Sequence, residues 1–203
     1  MPTSTWTRAV LVLGALLWFG ALWVLGETFN ATWLKPAGGV LAAVVGLLWL
    51  FDRFVWRRVP AKVRQRPDVR GTWATDLHYT DRDSQAKVKR CYLVVRQTFA
   101  KVSVRMYFDI SSSDSERAAI LSEDDTYRLA WDYRSAATEY DHENPSHRGK
   151  AEMKIATVPA LELDGTYWTE RKTTGRLVTV GWSKELFDSF SAADAAEYGP
   201  KAK

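Results

Sequence analysis

The sequence predicts two membrane-spanning helices followed by an all-β domain, an antiparallel up-and-down barrel of about eight strands. Three observations carry this. Two segments near the N-terminus, residues 9–26 (AVLVLGALLWFGALWVLG) and 36–51 (PAGGVLAAVVGLLWLF), contain no charge. A dense basic run follows the second. From Asp68 onward, short segments of period-two alternation are separated by turn residues, with no helical pattern between them. The mean hydropathy of −0.26 averages these unlike halves.

A span needs about 20 mostly apolar residues. Segment 9–26 reaches that with its flanks, and 36–51 does so when Asp52 and Arg53 sit at the interface and the span runs on to Trp56. Trp6, Trp33 and Trp56 fall near the segment ends, where an aromatic belt lies. A cleaved signal peptide is the alternative for the first segment, and a buried core helix for the second. The first run is longer than a usual signal core, no A-x-A site follows, and only ETFNATWLK separates the two. A transmembrane hairpin over residues 1–57 fits better. Gly14, Gly20, Gly38, Gly39 and Gly46 offer small surfaces for helix contact.

Arg53, Arg57, Arg58, Lys62, Arg64, Arg66 and Arg70 form a collar around a juxtamembrane linker, residues 58–67, whereas the connection between the spans has one Lys and one Glu. The positive-inside rule then places both termini and the β-domain in the cytoplasm. Much of the net charge of +4 comes from this collar. Beside a span, such charge sets topology and meets anionic headgroups, so no DNA or RNA partner is expected. Cys91 is the single cysteine, which excludes an intramolecular disulfide and suits a reducing compartment.

The β-domain is expected over 68–183, with strands near 70–79, 88–97, 100–108, 117–123, 127–134, 149–158, 161–171 and 175–182. In the third, Val102, Val104, Met106 and Phe108 alternate with Lys101, Ser103, Arg105 and Tyr107. In the fifth, Tyr127, Leu129, Trp131 and Tyr133 alternate with Arg128, Ala130, Asp132 and Arg134. The serine-rich stretch 111–115 reads as a turn. Residues 184–203 are expected to form a short helix and a frayed tail. A sandwich is the competing architecture. Gly71-Thr72-Trp73 and Gly165-Thr166-Tyr167 are echoes of each other, and glycine within a strand marks a bulge, a bend or a close backbone approach. The first echo resembles the Gly-x-Trp of lipocalins, whose barrels can hold one small ligand.

No H-E-x-x-H, paired C-x-x-C, G-x-S-x-G or Walker A motif is present, so the motifs point away from an enzyme and from a cofactor. His142 and His147 lie five apart across a proline, without the helical spacing that would aim them at one metal. The segment YWTERKTTGRL (167–177) points to binding instead. Tyr167, Thr169 and Arg171 share one face of a strand. A ring can stack on a base, a hydroxyl can bond a sugar or base edge, and a guanidinium can clamp a phosphate. An ordinary strand with a surface arginine is the alternative.

Two spans, a Gly-Thr-Trp start, NPSHRGKA (144–151) and LDGTYWTERKTTGRL (163–177) together resemble the two-transmembrane, β-strand-rich effectors of bacterial CBASS anti-phage operons, CD-NTase-associated protein fifteen. The resemblance implies a lipocalin-like barrel that binds a cyclic dinucleotide made by a partner CD-NTase. It implies that binding drives homo-oligomerisation in the lipid bilayer and disruption of the bacterial inner membrane. The matching positions are Asn144, Pro145, His147 and Arg148, then Tyr167, Thr169, Arg171, Thr173 and Gly175. The ligand-binding set expected from them, with Tyr140 added as a second stacking ring, is Tyr140, Asn144, His147, Arg148, Tyr167, Thr169, Arg171 and Thr173. The stretch YDHENPSHRG (140–149) is then the entrance to the barrel. A membrane-tethered carrier of an apolar ligand, and a filled barrel acting as an interaction domain, are the readings of other classes.

Overall fold

The computed structural model describes residues 12, 14–16, 20, 24, 34–59, 66–80, 85–123, 126–136, 146–157 and 160–200. The chain divides into two compact units, Met1–Arg58 and Val59–Lys203. In the first, helix α1 (Leu34–Leu50) continues as a π-helical turn, Phe51–Val55, and a 3-10 turn, Trp56–Arg58. Among the described residues, no helix is long and apolar enough to cross a membrane. The α-helical part has 17 residues. That gives a rise of about 25 Å, short of a hydrocarbon core of about 30 Å. Most of segment 9–26 lies outside the described residues.

In the second unit, eight strands run antiparallel and close on themselves: β1 Gly71–Thr80, β2 Ala86–Gln97, β3 Val102–Tyr107, β4 Ser112–Glu123, β5 Thr126–Ala136, β6 His147–Ala156, β7 Glu162–Thr169 and β8 Thr174–Ser183. Closure comes from β1 pairing with β8, with a bulge at Ala74/Thr75. The structure is thus a barrel, not a sandwich. Two elements differ from their sequence reading: β7 ends at Thr169, so Arg171 falls on the following turn and not on the strand, and β4 begins early. The serines expected as a turn form the start of β4, and the β3–β4 connection is residues 108–111. Ser113 sits opposite Met106 on one side and Ser135 on the other. Serine favours turns, but strand formation depends on what the neighbouring strands require, and here a small side chain must face inward between two others.

Alternation sends one row per strand into the core. Trp73, Leu93, Leu129, Trp131, Met153, Leu163 and Leu177 are essentially inaccessible. The segment before β1 closes this packed end. Val69 is fully buried, its N–H donates to Gln97 Oε1 (3.0 Å), and Gln97 Nε2 donates to the carbonyl of Pro67 (3.1 Å). Trp73 Nε1 donates to the Val69 carbonyl at 2.9 Å. These bonds satisfy polar groups that burial would otherwise penalise.

Outside the barrel, the short helix α2 (Phe190–Asp194), capped by Ser189, covers Ala74, Tyr92 and Val94. Tyr92 donates to Asp194 Oδ1 (2.6 Å) and stacks on Tyr198 with centroids 5.6 Å apart. The tail beyond the helix is held rather than frayed as far as Gly199, which exchanges two backbone hydrogen bonds with Trp182.

Candidate ligand-binding site

The connections 108–111 and 170–173, with the strand ends at Thr80, Ala136 and His147, lie at the end of the barrel opposite the Val69 closure. A cavity of about 270 Å³ lies there. Leu77, Met106, Ala151 and Leu177 give it an apolar floor. Tyr79, Phe108, Tyr133 and Tyr167 supply rings, Ser113, Ser135, Thr169 and Thr173 supply hydroxyls, and Lys89, His147 and Arg171 supply nitrogen.

Strand register explains where the rings stand. Tyr133 on β5 faces Gly149 on β6. Tyr79 and Tyr167 both face Gly175 on β8, one from each side. A Cβ at Gly149 would meet the Tyr133 ring, and one at Gly175 the Tyr167 ring. The missing side chains therefore let the phenols lie against the wall. The Tyr133 ring meets the His147 imidazole edge-on, with centroids 6.5 Å apart.

Burial pushes the Tyr167 phenol up to about 12, with a smaller contribution from Tyr79. Burial, then the nearby Tyr167, raises Tyr133 as well. Both stay neutral at physiological pH, so they offer O–H donors and stacking faces without opposing an anion. The same shifts predict an alkaline limit to stability. A folded phenol that holds its proton more tightly than an unfolded one stabilises fully below pH 10 and loses that contribution as pH rises toward about 12. The urea midpoint is expected to be insensitive to these tyrosines up to pH 10 and to fall above it. Phenolate absorbance of the native chain should lag that of the denatured chain. Coincident titration curves would show that the phenols are not buried.

Arg171 sits on the β7–β8 turn. Thr169 N–H donates to the Thr173 carbonyl and Lys172 N–H to the Thr169 carbonyl, both at 3.0 Å, and Lys172 has φ 62°. This is a three-residue hairpin loop whose third residue is left-handed. The Thr169 and Thr173 hydroxyls are 2.6 Å apart. Glu170 ties the turn to the start of β6 twice: its N–H donates to the Arg148 carbonyl (3.0 Å), and its Oε1 accepts from the Arg148 N–H (2.9 Å). The backbone under Arg171 is therefore anchored on two sides.

The structure brings His147, Tyr167, Thr169, Arg171 and Thr173 to one cavity. It does not bring Arg148 there. Strand alternation turns that side chain outward, where it is 60% exposed and 3.4 Å from Glu116 Oε1, which also accepts from Arg134. His147 and Arg148 are adjacent, so only one of them can face inward. Tyr140 and Asn144 lie outside the described residues, as do Asp141 and Glu143. Ser135 and His147, paired at the ends of β5 and β6, both line the cavity. Tyr79, Lys89, Phe108, Ser113, Tyr133 and Ser135 were not in the expected ligand-binding set. Their signal was phase: Tyr79 keeps step with Trp73, Lys89 with Cys91 and Leu93, and Tyr133 with Trp131.

A barrel packed at one end and hollow at the other, with rings and cations around the hollow, has the form of a receptor domain for a small ligand. Comparison with known proteins gives the class its family. The family model described as Cap15, cyclic dinucleotide receptor domain, matches residues 64–180, and the chain belongs to that family. The chain is also similar to CD-NTase-associated protein 15 of Staphylococcus schleiferi, 29% identical over 129 residues, which covers 63% of this chain and 68% of that protein. The barrel is accordingly a cyclic dinucleotide receptor domain.

Proposed function

We propose that this chain is a non-catalytic CBASS anti-phage effector that turns a cyclic dinucleotide signal into damage of the bacterial inner membrane. The observation that carries this reading is the cavity itself: stackable rings beside a guanidinium, in a member of a cyclic dinucleotide receptor family. Arg171 clamps a phosphate, Tyr133 and Tyr167 meet the bases, and Thr169 and Thr173 bond sugar or base edges. The ligand comes from a CD-NTase, as the name of the Staphylococcus relative suggests.

Segments 9–26 and 36–56 span the membrane as a hairpin, with the basic collar keeping the barrel and both termini cytoplasmic. The uncharged runs 9–26 and 36–51 within them support that reading. Homo-oligomerisation follows from linkage: a ligand that binds the assembled state more tightly draws the population toward it. Packing of the spans in that assembly then breaches the bilayer.

The test co-expresses the full chain with its CD-NTase, or with an inactive CD-NTase, and follows membrane potential with a voltage-sensitive dye. Depolarisation is expected with the active synthase alone, and Arg171→Ala should prevent it. An intact potential in cells where the chain is demonstrably loaded with ligand would remove the membrane step. The apolar floor of the cavity gives a carrier of an apolar ligand its one supporting observation. Calorimetry of the full chain with fatty acids beside cyclic dinucleotides separates the two.

A further inference from the structure

Lys89 and Arg171 are the Lys and Arg side chains that line the cavity among the described residues. They stand on β2 and just past β7, three steps apart around an eight-membered ring of strands through β1 and β8. The two cations therefore line the hollow from well-separated parts of the ring. In a cyclic dinucleotide the two phosphodiesters lie across the macrocycle from each other, so one ligand can reach both. A mononucleotide, with one phosphate group, cannot.

Lys89 already has an anion. Its Nζ is 2.5 Å from Asp109 Oδ1 and 5.9 Å from the centroid of the Phe108 ring. Asp109 belongs to the tight β3–β4 connection, closed by the Phe108 N–H donating to the Ser111 carbonyl at 2.8 Å. Asp109 Oδ1 also accepts from the Ile110 N–H at 2.9 Å. Phe108 and Ser111, on either side, line the cavity. The carboxylate thus lies at the rim beside the Lys89 ammonium. An ion pair with both side chains a third to a half exposed contributes little to stability, so it exchanges readily.

From this the geometry points to Lys89 as the second phosphate anchor, with Asp109 as a built-in competitor that a ligand phosphate must displace. The inference rests on the cyclic dinucleotide reading and deepens it. Asp109 sets a threshold. A ligand that reaches only Arg171 gains nothing from Lys89, while one that spans the hollow replaces the carboxylate with a phosphate oxygen. Selection for two phosphates over one then comes from the competitor as well as from the anchors.

The experiment titrates the full-length chain in detergent micelles with cyclic di-AMP, cyclic di-GMP and cyclic GMP-AMP, and with AMP and GMP as single-phosphate probes. For the best cyclic dinucleotide, Lys89→Met is expected to weaken binding roughly 10- to 100-fold and Asp109→Asn to tighten it roughly three- to tenfold. In the Lys89→Met background, Asp109→Asn should change affinity less than about twofold, since the two act as one unit. AMP and GMP should respond to none of these changes. Lys89→Gln, which keeps most of the stem, takes the place of Lys89→Met if that variant loses its cooperative melting transition. Unchanged affinity in the Lys89 variants overturns the anchor. Weaker binding by Asp109→Asn overturns the competitor, because the carboxylate would then be positioning the lysine. A wild-type chain that binds no cyclic dinucleotide removes the receptor reading itself, and this inference with it. Normal wild-type binding with inert variants removes this inference alone.

Discussion

Arg171→Ala is expected to weaken cyclic dinucleotide binding about 100-fold without unfolding the barrel. The magnitude follows from charge-assisted hydrogen bonds to a phosphate, together about 3 kcal/mol. The fold should survive because the side chain is exposed at the mouth and carries none of the core. The turn beneath it is held by backbone bonds from Thr169 and Lys172 and by the two Glu170–Arg148 bonds, none of which uses the Arg171 side chain. Arg171→Lys keeps the charge and loses the fork, so an intermediate loss of about tenfold is expected. Arg148→Ala is the informative companion. Its guanidinium meets Glu116 on the outer surface, so ligand affinity should hold within about twofold, as for a half-exposed ion pair outside the site. Calorimetry on the three variants, with thermal melts as the folding control, decides this. Equal loss in Arg148→Ala and Arg171→Ala would mean that the outer arginine reaches the ligand after all.

Gly165→Val should be the most destabilising single change in the β7 motif, costing at least about 3 kcal/mol, at or beyond the upper end of ordinary overpacking. A Cβ at Gly165 would collide with the carbonyl oxygen of Glu152 and the Cα of Met153, which are backbone atoms of the paired strand. Backbone cannot rotate aside as a side chain can, so β6 and β7 would have to separate locally. That loss is a large share of the roughly 5–15 kcal/mol that holds a typical domain together. The expected result is a lower urea midpoint with an unchanged slope. Wild-type stability in Gly165→Val would show that the two strands have room between them. Gly71, the matching glycine of the first echo, meets a different demand: its φ of +121° is one that a side chain rarely adopts, and it lies against Trp182, whose Nε1 donates to the Arg70 carbonyl at 2.8 Å. The shared sequence pattern thus marks close approach in both places, with positive φ in only one.

The sequence by itself determined the strands, their number and most of their faces. Period-two alternation and turn chemistry are local properties, written within about ten residues of each other. Tyr167 and Thr169 could be placed on one face for that reason and the cavity holds both, whereas Arg171, read as the next step of that strand, reaches the cavity from the turn after Thr169. The serines of 111–115 were misread because their propensity is local while their role is set by Met106 and Ser135 on the flanking strands. Pairing across the barrel was decided only by the tertiary structure. That Tyr79 and Tyr167 flank Gly175, that Tyr133 lies over Gly149, and that Gln97 clasps Val69 all depend on register between segments distant in the chain. A shift of one residue would turn each of those side chains to the opposite face. Alternation within one strand forbids that slip but not a slip of two residues, which keeps every face and changes every partner, so the choice of partners lies outside the strand. It is made when eight strands close at once and one arrangement buries their apolar rows together.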